Sequence, residues 1–294
     1  MRYKLAFDTG GTFTDLVMLD EQVGEMAVGK TLTTPKDPAV GVLQGIQELL
    51  EREKVDLTTT SMVVGGATTL VTNAIIERKG AKTALITTEG FRDIVEMGRE
   101  MRYDLYDLFI EMPEPIVSPQ LRFEVRERLD KDGNVTTPLD EAGVRAAIRE
   151  IVAQGAEAVA VCLLHSYQNP VHERRIGEIL AAEAPDLRVT LSSELVPEIR
   201  EYERASTTML NAYVQPLMKK HIDRLEEGLR ELGYSGDLYL MLSNGGTITG
   251  QAAAQFPVKL IESGPAAGAL AAVFYGRLSG EPNLLSFDMG GTTA

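Results

Sequence analysis

The stretch Asp8-Thr9-Gly10-Gly11-Thr12-Phe13-Thr14-Asp15 decides how this chain is read. It stands between two apolar runs, Leu5-Ala6-Phe7 and Leu16-Val17-Met18-Leu19, a pattern that predicts a strand, a glycine turn and a second strand. Two adjacent glycines leave backbone N–H groups uncovered and admit backbone angles closed to other residues, which suits a turn that cradles an anion. Thr12 and Thr14 add hydroxyl donors. Asp8 cannot face a phosphate directly, because like charges repel, so it implies a bridging cation, and Mg²⁺ held partly through water fits best. Glycine hairpins with polar tips are common, and one copy decides little.

A second copy stands at the other end: Leu284-Leu285-Ser286-Phe287-Asp288-Met289-Gly290-Gly291-Thr292-Thr293 repeats apolar strand, Asp, any residue, Gly-Gly, Thr. Two such turns imply two lobes of related design offering their glycine corners to one nucleotide. The pair resembles the two phosphate motifs of the actin, sugar-kinase and heat-shock-chaperone ATPases. Residues Gly264-Pro265-Ala266-Ala267-Gly268-Ala269-Leu270-Ala271-Ala272 resemble the small-residue connecting helix of the same superfamily. There Gly264, Gly268, Ala272 and Gly276 recur every fourth residue, so one helix face is expected to admit another backbone closely. The expected fold is therefore α/β, an actin/sugar-kinase/heat-shock-chaperone-like ATPase with a ribonuclease H-like first lobe and a truncated second lobe. The expected division is 1–186, 187–280 with the long and connecting helices, and 281–294 as the start of the second lobe. A second phosphate turn with no strand pair after it reads as part of a longer protein.

Net charge is −14, which argues against a nucleic-acid backbone or an anionic membrane surface as partner. An acidic chain that takes up a polyphosphate must use backbone donors and a metal, as the opening motif offers. The single Cys162 lies in an apolar run and has no cysteine to pair with, which fits a reducing cytoplasm. No signal-peptide pattern and no apolar stretch of about 18 residues is visible, so no membrane span is expected.

Residues 3–8, 14–20 and 25–33 predict an antiparallel meander with the glycine turn at its first corner. Gly24 to Thr31 matches the Walker A pattern letter by letter. However, Pro35 and Pro38 follow at once where a phosphate-binding loop must open a helix, so Lys30 is expected on an exposed strand. Asp37-Pro38 should cap a helix over 39–53 that buries Val40, Leu43, Ile46, Leu49 and Leu50. Strand 61–65, the turn Gly65-Gly66-Ala67-Thr68-Thr69, a helix to Arg78 and a strand from Gly80 read as a right-handed crossover. Its turn makes Thr68, Thr69 and Asn73 site candidates, a plain helix cap by Thr68 being the alternative. Residues 99–107, with Arg102, Tyr103 and Tyr106, are polar and aromatic, and suit a substrate or subunit surface or a solvated loop.

Further on, Ala158 to Leu164 predicts a buried strand whose carboxyl end carries His165-Ser166-Tyr167-Gln168-Asn169-Pro170 and a helix opened by Val171-His172-Glu173. His165, His172 and Glu173 allow a metal-ligand reading, although no third histidine or cysteine joins them, and a helix-initiating loop is the other reading. Pro197 to Arg204 is a charged stretch at the head of a long helix containing Pro216; Glu201, Tyr202 and Arg204 read either as site residues or as a solvated helix start. Strand 237–242 ends in Ser243-Asn244-Gly245-Gly246-Thr247, another polar glycine turn.

Taken in order, these stretches resemble the hydantoinase/oxoprolinase family, in particular its A-type subunit. The resemblance runs from the opening Asp-Thr-Gly-Gly-Thr-Phe-Thr-Asp through Arg102-Tyr103-Asp104-Leu105, His165-Ser166-Tyr167, Pro197-Glu198 and Ser243 to Gly246, and ends at Asp288 to Thr293. One departure is the absence of the histidine usual near Gly66. The resemblance implies ATP- and Mg²⁺-dependent opening of a hydantoin, 5-oxoproline or lactam through phosphorylation of the carbonyl oxygen, with a B-type partner subunit. It places Asp8 and Asp288 on the metal, with Thr12 beside them in catalysis. Gly10, Gly11, Thr12, Thr14, Gly290, Gly291 and Thr292 are then expected around the phosphates, and Thr68, Thr69, Asn73, His165 and Asn244 are candidates for facing the substrate. Relatives that carboxylate ketones supply a rival reading, as do a nucleotide-gated binding module and a fragment inactive alone.

Overall fold

The computed structural model describes residues 2–34, 36–99 and 103–287, and only the backbone of residues 67 and 68. The chain divides into two compact units, residues 1–79 with 217–294, and residues 80–216. In the first unit Tyr3–Thr9 (β1), Phe13–Asp20 (β2) and Met26–Leu32 (β3) form the expected antiparallel meander. Period-two alternation sends Leu5, Phe7, Leu16 and Met18 to one face, where Pro38–Glu53 (α1) covers them with Val42, Ile46, Leu49 and Leu50. Gly45 makes this approach possible, because a Cβ there would lie 2.8 Å from Leu16 and from Thr31.

Two details of α1 depart from expectation. Val40 is 49% exposed, since it shares the outward row of the helix with Gln44 and Gln47. Asp37 makes no capping bond, because its carboxylate pairs with Arg224 instead. Pro38 does occupy the first helical turn. Thr60–Thr68 (β4) then runs parallel to β1, and Leu70–Ile76 (α2) follows.

Thr83–Thr88 (β5) does not return beside β4, so the crossover expected here is not formed. Instead β5 opens the sheet of the second unit. That unit continues through Ile94–Met97 (α3), Arg122–Val125 (β6), the hairpin Arg128–Leu129 (β7) with Val135–Thr137 (β8), and Glu141–Ala153 (α4). Ala158–Cys162 (β9), Val171–Glu183 (α5), Arg188–Leu191 (β10) and Ser192–Leu195 (α6) follow, before Glu201–Glu231 (α7). The sheet is parallel throughout, in the order β10-β9-β5-β6. All five residues of β9 are buried, as a strand covered on both faces requires. Helix α7 continues through Pro216, the last residue of the second unit.

Leu238–Met241 (β11), Thr247–Thr249 (β12), Gly250–Gln255 (α8) and Ser263–Ser279 (α9) complete the first unit. β11 pairs parallel to β4, giving a sheet ordered β12-β11-β4-β1-β2-β3 with β2 antiparallel to both neighbours. This mixed sheet is the ribonuclease H-like lobe the sequence predicts. On α9 the small-residue face behaves unevenly. A Cβ at Gly276 would meet the Glu281 carbonyl at 2.9 Å, whereas one at Gly268 would have nothing within 4 Å.

Candidate functional site

The β1–β2 corner is held from below by a residue the sequence reading passed over. Thr33 Oγ1 donates to the Gly10 carbonyl at 2.8 Å, Thr33 N donates to the Thr12 carbonyl at 2.9 Å, and the Thr14 and Thr33 hydroxyls lie 3.1 Å apart. Gly10 N closes the corner on the Phe13 carbonyl at 3.0 Å. A trans peptide holds its C=O and N–H antiparallel. Drawing the Gly10 carbonyl down to Thr33 therefore turns the Gly11 amide to the opposite, outward side.

Gly10 itself does not adopt a left-handed angle. Its need is space, since a Cβ there would sit 3.1 Å from the Phe13 carbonyl. Gly11 and Thr12 are exposed at the tip. Thr14, expected to offer a hydroxyl to phosphate, is fully buried with that hydroxyl turned inward onto Thr33, so it supports the turn from beneath.

Asp8 is exposed on the face of β1 away from the core and lies directly across the ladder from Asp15. Two carboxylates so placed repel one another. Lys30 relieves this: its Nζ reaches Asp15 at 2.7 Å and lies 4.8 Å from the centre of the Phe13 ring. Lys30 thus sits in mid-strand on β3, as expected, and the Walker-like letters around it form no phosphate loop. The observed exposed set at this corner is an outward amide, the Thr12 hydroxyl and the Asp8 carboxylate. These are the donor and anion types that a metal–polyphosphate needs.

Thr69 stands next to this corner. Its amide and hydroxyl approach the Thr9 carbonyl at 3.4 and 3.5 Å, and it precedes α2 without making a side-chain cap. Asn73 follows one turn later, half-buried. Asn244 is exposed in the β11–β12 turn, where its Oδ1 accepts from Gly246 N at 3.0 Å. The expected contributions of Asp288, Gly290, Gly291, Thr292 and Arg102, and of the Thr68 side chain, lie outside the described residues.

In the second unit the carboxyl ends of β5, β9 and β10 meet a buried polar network. Glu173, fully buried, accepts from Leu163 N at 2.9 Å, Ser192 Oγ at 2.7 Å and Ser193 N at 2.8 Å. Arg204, equally buried, donates to Ser166 Oγ, to Ser192 Oγ and to the Leu163 carbonyl, and its guanidinium lies 5.4 Å from the Tyr167 ring centre. Glu127 bonds Thr88 and accepts from or shares a proton with His172 Nδ1 at 2.7 Å. His172 and Glu173 are therefore structural, and among the described residues no group of three or more His, Cys, Asp or Glu side chains could hold a metal.

His165 differs from its neighbours. It is half-buried, has a left-handed φ of 56°, and its Nδ1 lies 3.4 Å from the Tyr167 hydroxyl. A non-glycine residue held in that region marks a place where the surroundings override local preference. Cys162 is buried beside the network, and burial pushes its thiol up to about 12, which disfavours the thiolate in the folded chain. Among the described residues no helix is long and apolar enough to cross a membrane.

Comparison with known proteins agrees with this architecture. Residues 4–184 match the hydantoinase/oxoprolinase N-terminal region, and residues 204–294 match the hydantoinase/oxoprolinase domain. The caprolactamase subunit alpha of Pseudomonas jessenii is 34% identical over 99% of this chain and 42% of its own length. The crystal structure of that ATP-dependent caprolactamase superposes with a TM-score of 0.87, covering 98% of this chain and 42% of that one. The acetophenone carboxylase gamma subunit of Aromatoleum aromaticum is 33% identical over 97% of this chain and 41% of its own. The 5-oxoprolinase of Saccharomyces cerevisiae is 31% identical over 99% of this chain and 25% of its own. The chain thus spans less than half the length of each of these relatives.

Proposed function

The chain belongs to the hydantoinase/oxoprolinase family, and we propose that its β1–β2 corner is one wall of a Mg²⁺–ATP site serving the opening of a cyclic amide. The observation that carries this reading is the Thr33-anchored corner, which presents the Gly11 amide and Thr12 hydroxyl beside the exposed Asp8 carboxylate. ATP bound there would supply a phosphoryl group to the amide carbonyl oxygen, so that water could add at that carbon and the ring C–N bond break, with ADP and phosphate released.

The chain's own residues have simpler tasks. Asp8 holds the metal, with Asp288 as its counterpart in the second motif. Gly10, Gly11 and Thr12 offer the phosphates fixed donors that need no reorganisation, and Gly290, Gly291 and Thr292 are their proposed counterparts in the second motif. Thr14 and Thr33 keep the corner rigid. Thr68, Thr69, Asn73, Asn244 and, in the second unit, His165 are the residues to test for contact with the amide. A B-type subunit is the proposed partner, in keeping with relatives whose names mark them as subunits.

A second reading, phosphoryl transfer serving ketone carboxylation, is favoured by the similarity to the acetophenone carboxylase subunit, which nearly equals that to caprolactamase. Titration of the chain with Mg²⁺–ATP by calorimetry tests the site. Binding that weakens at least tenfold in Asp8→Asn supports it, and equal binding by Asp8→Asn removes Asp8 from the metal. With the partner subunit present, ADP release prompted by lactams, against ketone plus bicarbonate, separates the two chemistries.

A further inference from the structure

The segment between α3 and β6 in the second unit carries a duplicated turn, Asp104-Leu105-Tyr106 followed by Asp107-Leu108-Phe109. In each copy the aspartate Oδ1 accepts the amide of the residue two places on, from Tyr106 at 3.2 Å and from Phe109 at 2.9 Å. The Tyr103 hydroxyl donates to the Glu111 carbonyl at 2.5 Å and closes the segment. The backbone is thus tied to itself while its apolar side chains point outward. Leu105 is 71% exposed, Tyr106 91%, Leu108 90% and Phe109 89%. Water-facing aromatic and leucine side chains on an internally fastened loop are unfavourable unless something covers them.

From this we infer that residues 103–112 form a pre-shaped knob that docks into an apolar pocket, rimmed by lysine or arginine, on a partner polypeptide. Three observations select that occupant. The knob exposes a tyrosine and a phenylalanine, aromatic anchors of the kind that dominate interface energies. Its four side chains offer on the order of 600 Å² of apolar surface, most of the ~800 Å² per partner of a stable interface. Its charges, Asp104, Asp107 and Glu111, are all negative, and no lysine or arginine occurs from 103 to 121. A second copy of a chain with net charge −14 would bring like charge to like, which disfavours self-association and matches a basic-rimmed surface on the partner. Self-fastening lowers the ordering cost of binding.

The inference rests on the proposal of a B-type partner, and the test keeps the two separate. The probe is a purified B-type subunit of the family, titrated by calorimetry at low and at high salt. Wild type is expected to bind, more weakly at 0.5 M than at about 0.05 M salt. Tyr106→Ser with Phe109→Ser is expected to weaken binding at least 100-fold, with melting temperature and Mg²⁺–ATP affinity unchanged. Binding by wild type that the double variant does not alter overturns the knob while leaving the partner standing. Absence of binding by wild type overturns both, and leaves the nucleotide site to its own titration. Dimerisation of the chain alone that the double variant abolishes also overturns the inference, because the occupant is then a second copy.

Discussion

Thr33→Val tests whether the glycine corner is built from below. The threonine hydroxyl donates to the Gly10 carbonyl and meets the Thr14 hydroxyl, and the two threonines are 8% and 0% exposed. Valine keeps the shape and removes the hydroxyl, so one hydrogen bond to the backbone is lost and the Thr14 hydroxyl is left buried with no partner there. A typical hydrogen bond contributes about 1 kcal/mol, and an unsatisfied buried hydroxyl costs ~1–3 kcal/mol, so a loss of about 2–3 kcal/mol is expected. In a chain of this size that lowers the melting temperature by roughly 3–5 °C. The Gly11 amide also loses its fixed direction, so Mg²⁺–ATP affinity should fall about tenfold or more at a temperature where the variant is fully folded. The double variant Thr14→Val with Thr33→Val removes both hydroxyls together, and so should recover part of the stability but none of the affinity. Differential scanning calorimetry and nucleotide titration of Thr33→Val, Thr14→Val and the double variant decide the matter. Unchanged stability in Thr33→Val, or strictly additive losses in the double variant, would falsify the anchoring role.

Glu173→Gln should cost about 3 kcal/mol in urea unfolding, because an amide nitrogen would face donors that now converge on a carboxylate; a loss under ~1 kcal/mol would show the network to be dispensable. Burial lowers the pKa of His221 to about 4 in the folded chain. The unfolded imidazole titrates near ~6.5, so below that pH the unfolded state alone takes up the proton and stability falls by about 1.4 kcal/mol per pH unit towards ~4. His221→Leu should therefore lose about 2 kcal/mol less than wild type between pH 7 and pH 5, and an identical slope in the two proteins would refute the assignment. Cys162 should react with a thiol reagent at pH 8 on the order of 1,000-fold more slowly in the folded than in the unfolded chain, read by thiol titration with and without guanidinium.

The meander, α1, β9 and the long helix α7 were legible because each is written in local periodicity: Leu5 and Phe7, Leu16 and Met18, or the apolar run of β9. The Walker-like letters were correctly set aside because Pro35 and Pro38 forbid a helix directly after Lys30. What failed was non-local. A strand, turn, helix and strand look the same whether the last strand rejoins its sheet or starts another, so the β4-to-β5 crossover was read where β11 in fact takes the place beside β4. Asp37 carries a good cap signal, yet its partner is Arg224, 187 residues away. Arg204 stood in a run of charges that suggested solvent, and is fully buried because its acceptors come from residues 163, 166 and 192. Thr33 gave no signal at all, since a threonine before prolines reads as loop until the fold brings Gly10 and Thr14 over it.

The two units handle charge in opposite ways, and this sorts the candidate residues more sharply than the motifs do. A buried carboxylate or guanidinium must have its hydrogen-bonding capacity largely met within the fold, or the fold pays in desolvation. Glu173 and Arg204 meet that condition through backbone groups and shared serines, and Glu127 through Thr88 and His172, so a ligand could engage them only by breaking bonds the second unit depends on. They hold the turn that carries His165 and Tyr167, and their chemical role ends there. In the first unit the order is reversed: the hydroxyls beneath the corner are buried and bonded to one another, while Asp8, Gly11 and Thr12 remain at the surface. Lys30 neutralises Asp15 and so eases the repulsion between the two carboxylates that face each other across the ladder. Removing that cation by Lys30→Met should therefore strengthen the site's hold on Mg²⁺ while lowering stability without it. A steric phosphate-loop role for Lys30 predicts the opposite sign for nucleotide affinity, and titration of Mg²⁺–ATP against this variant distinguishes the two.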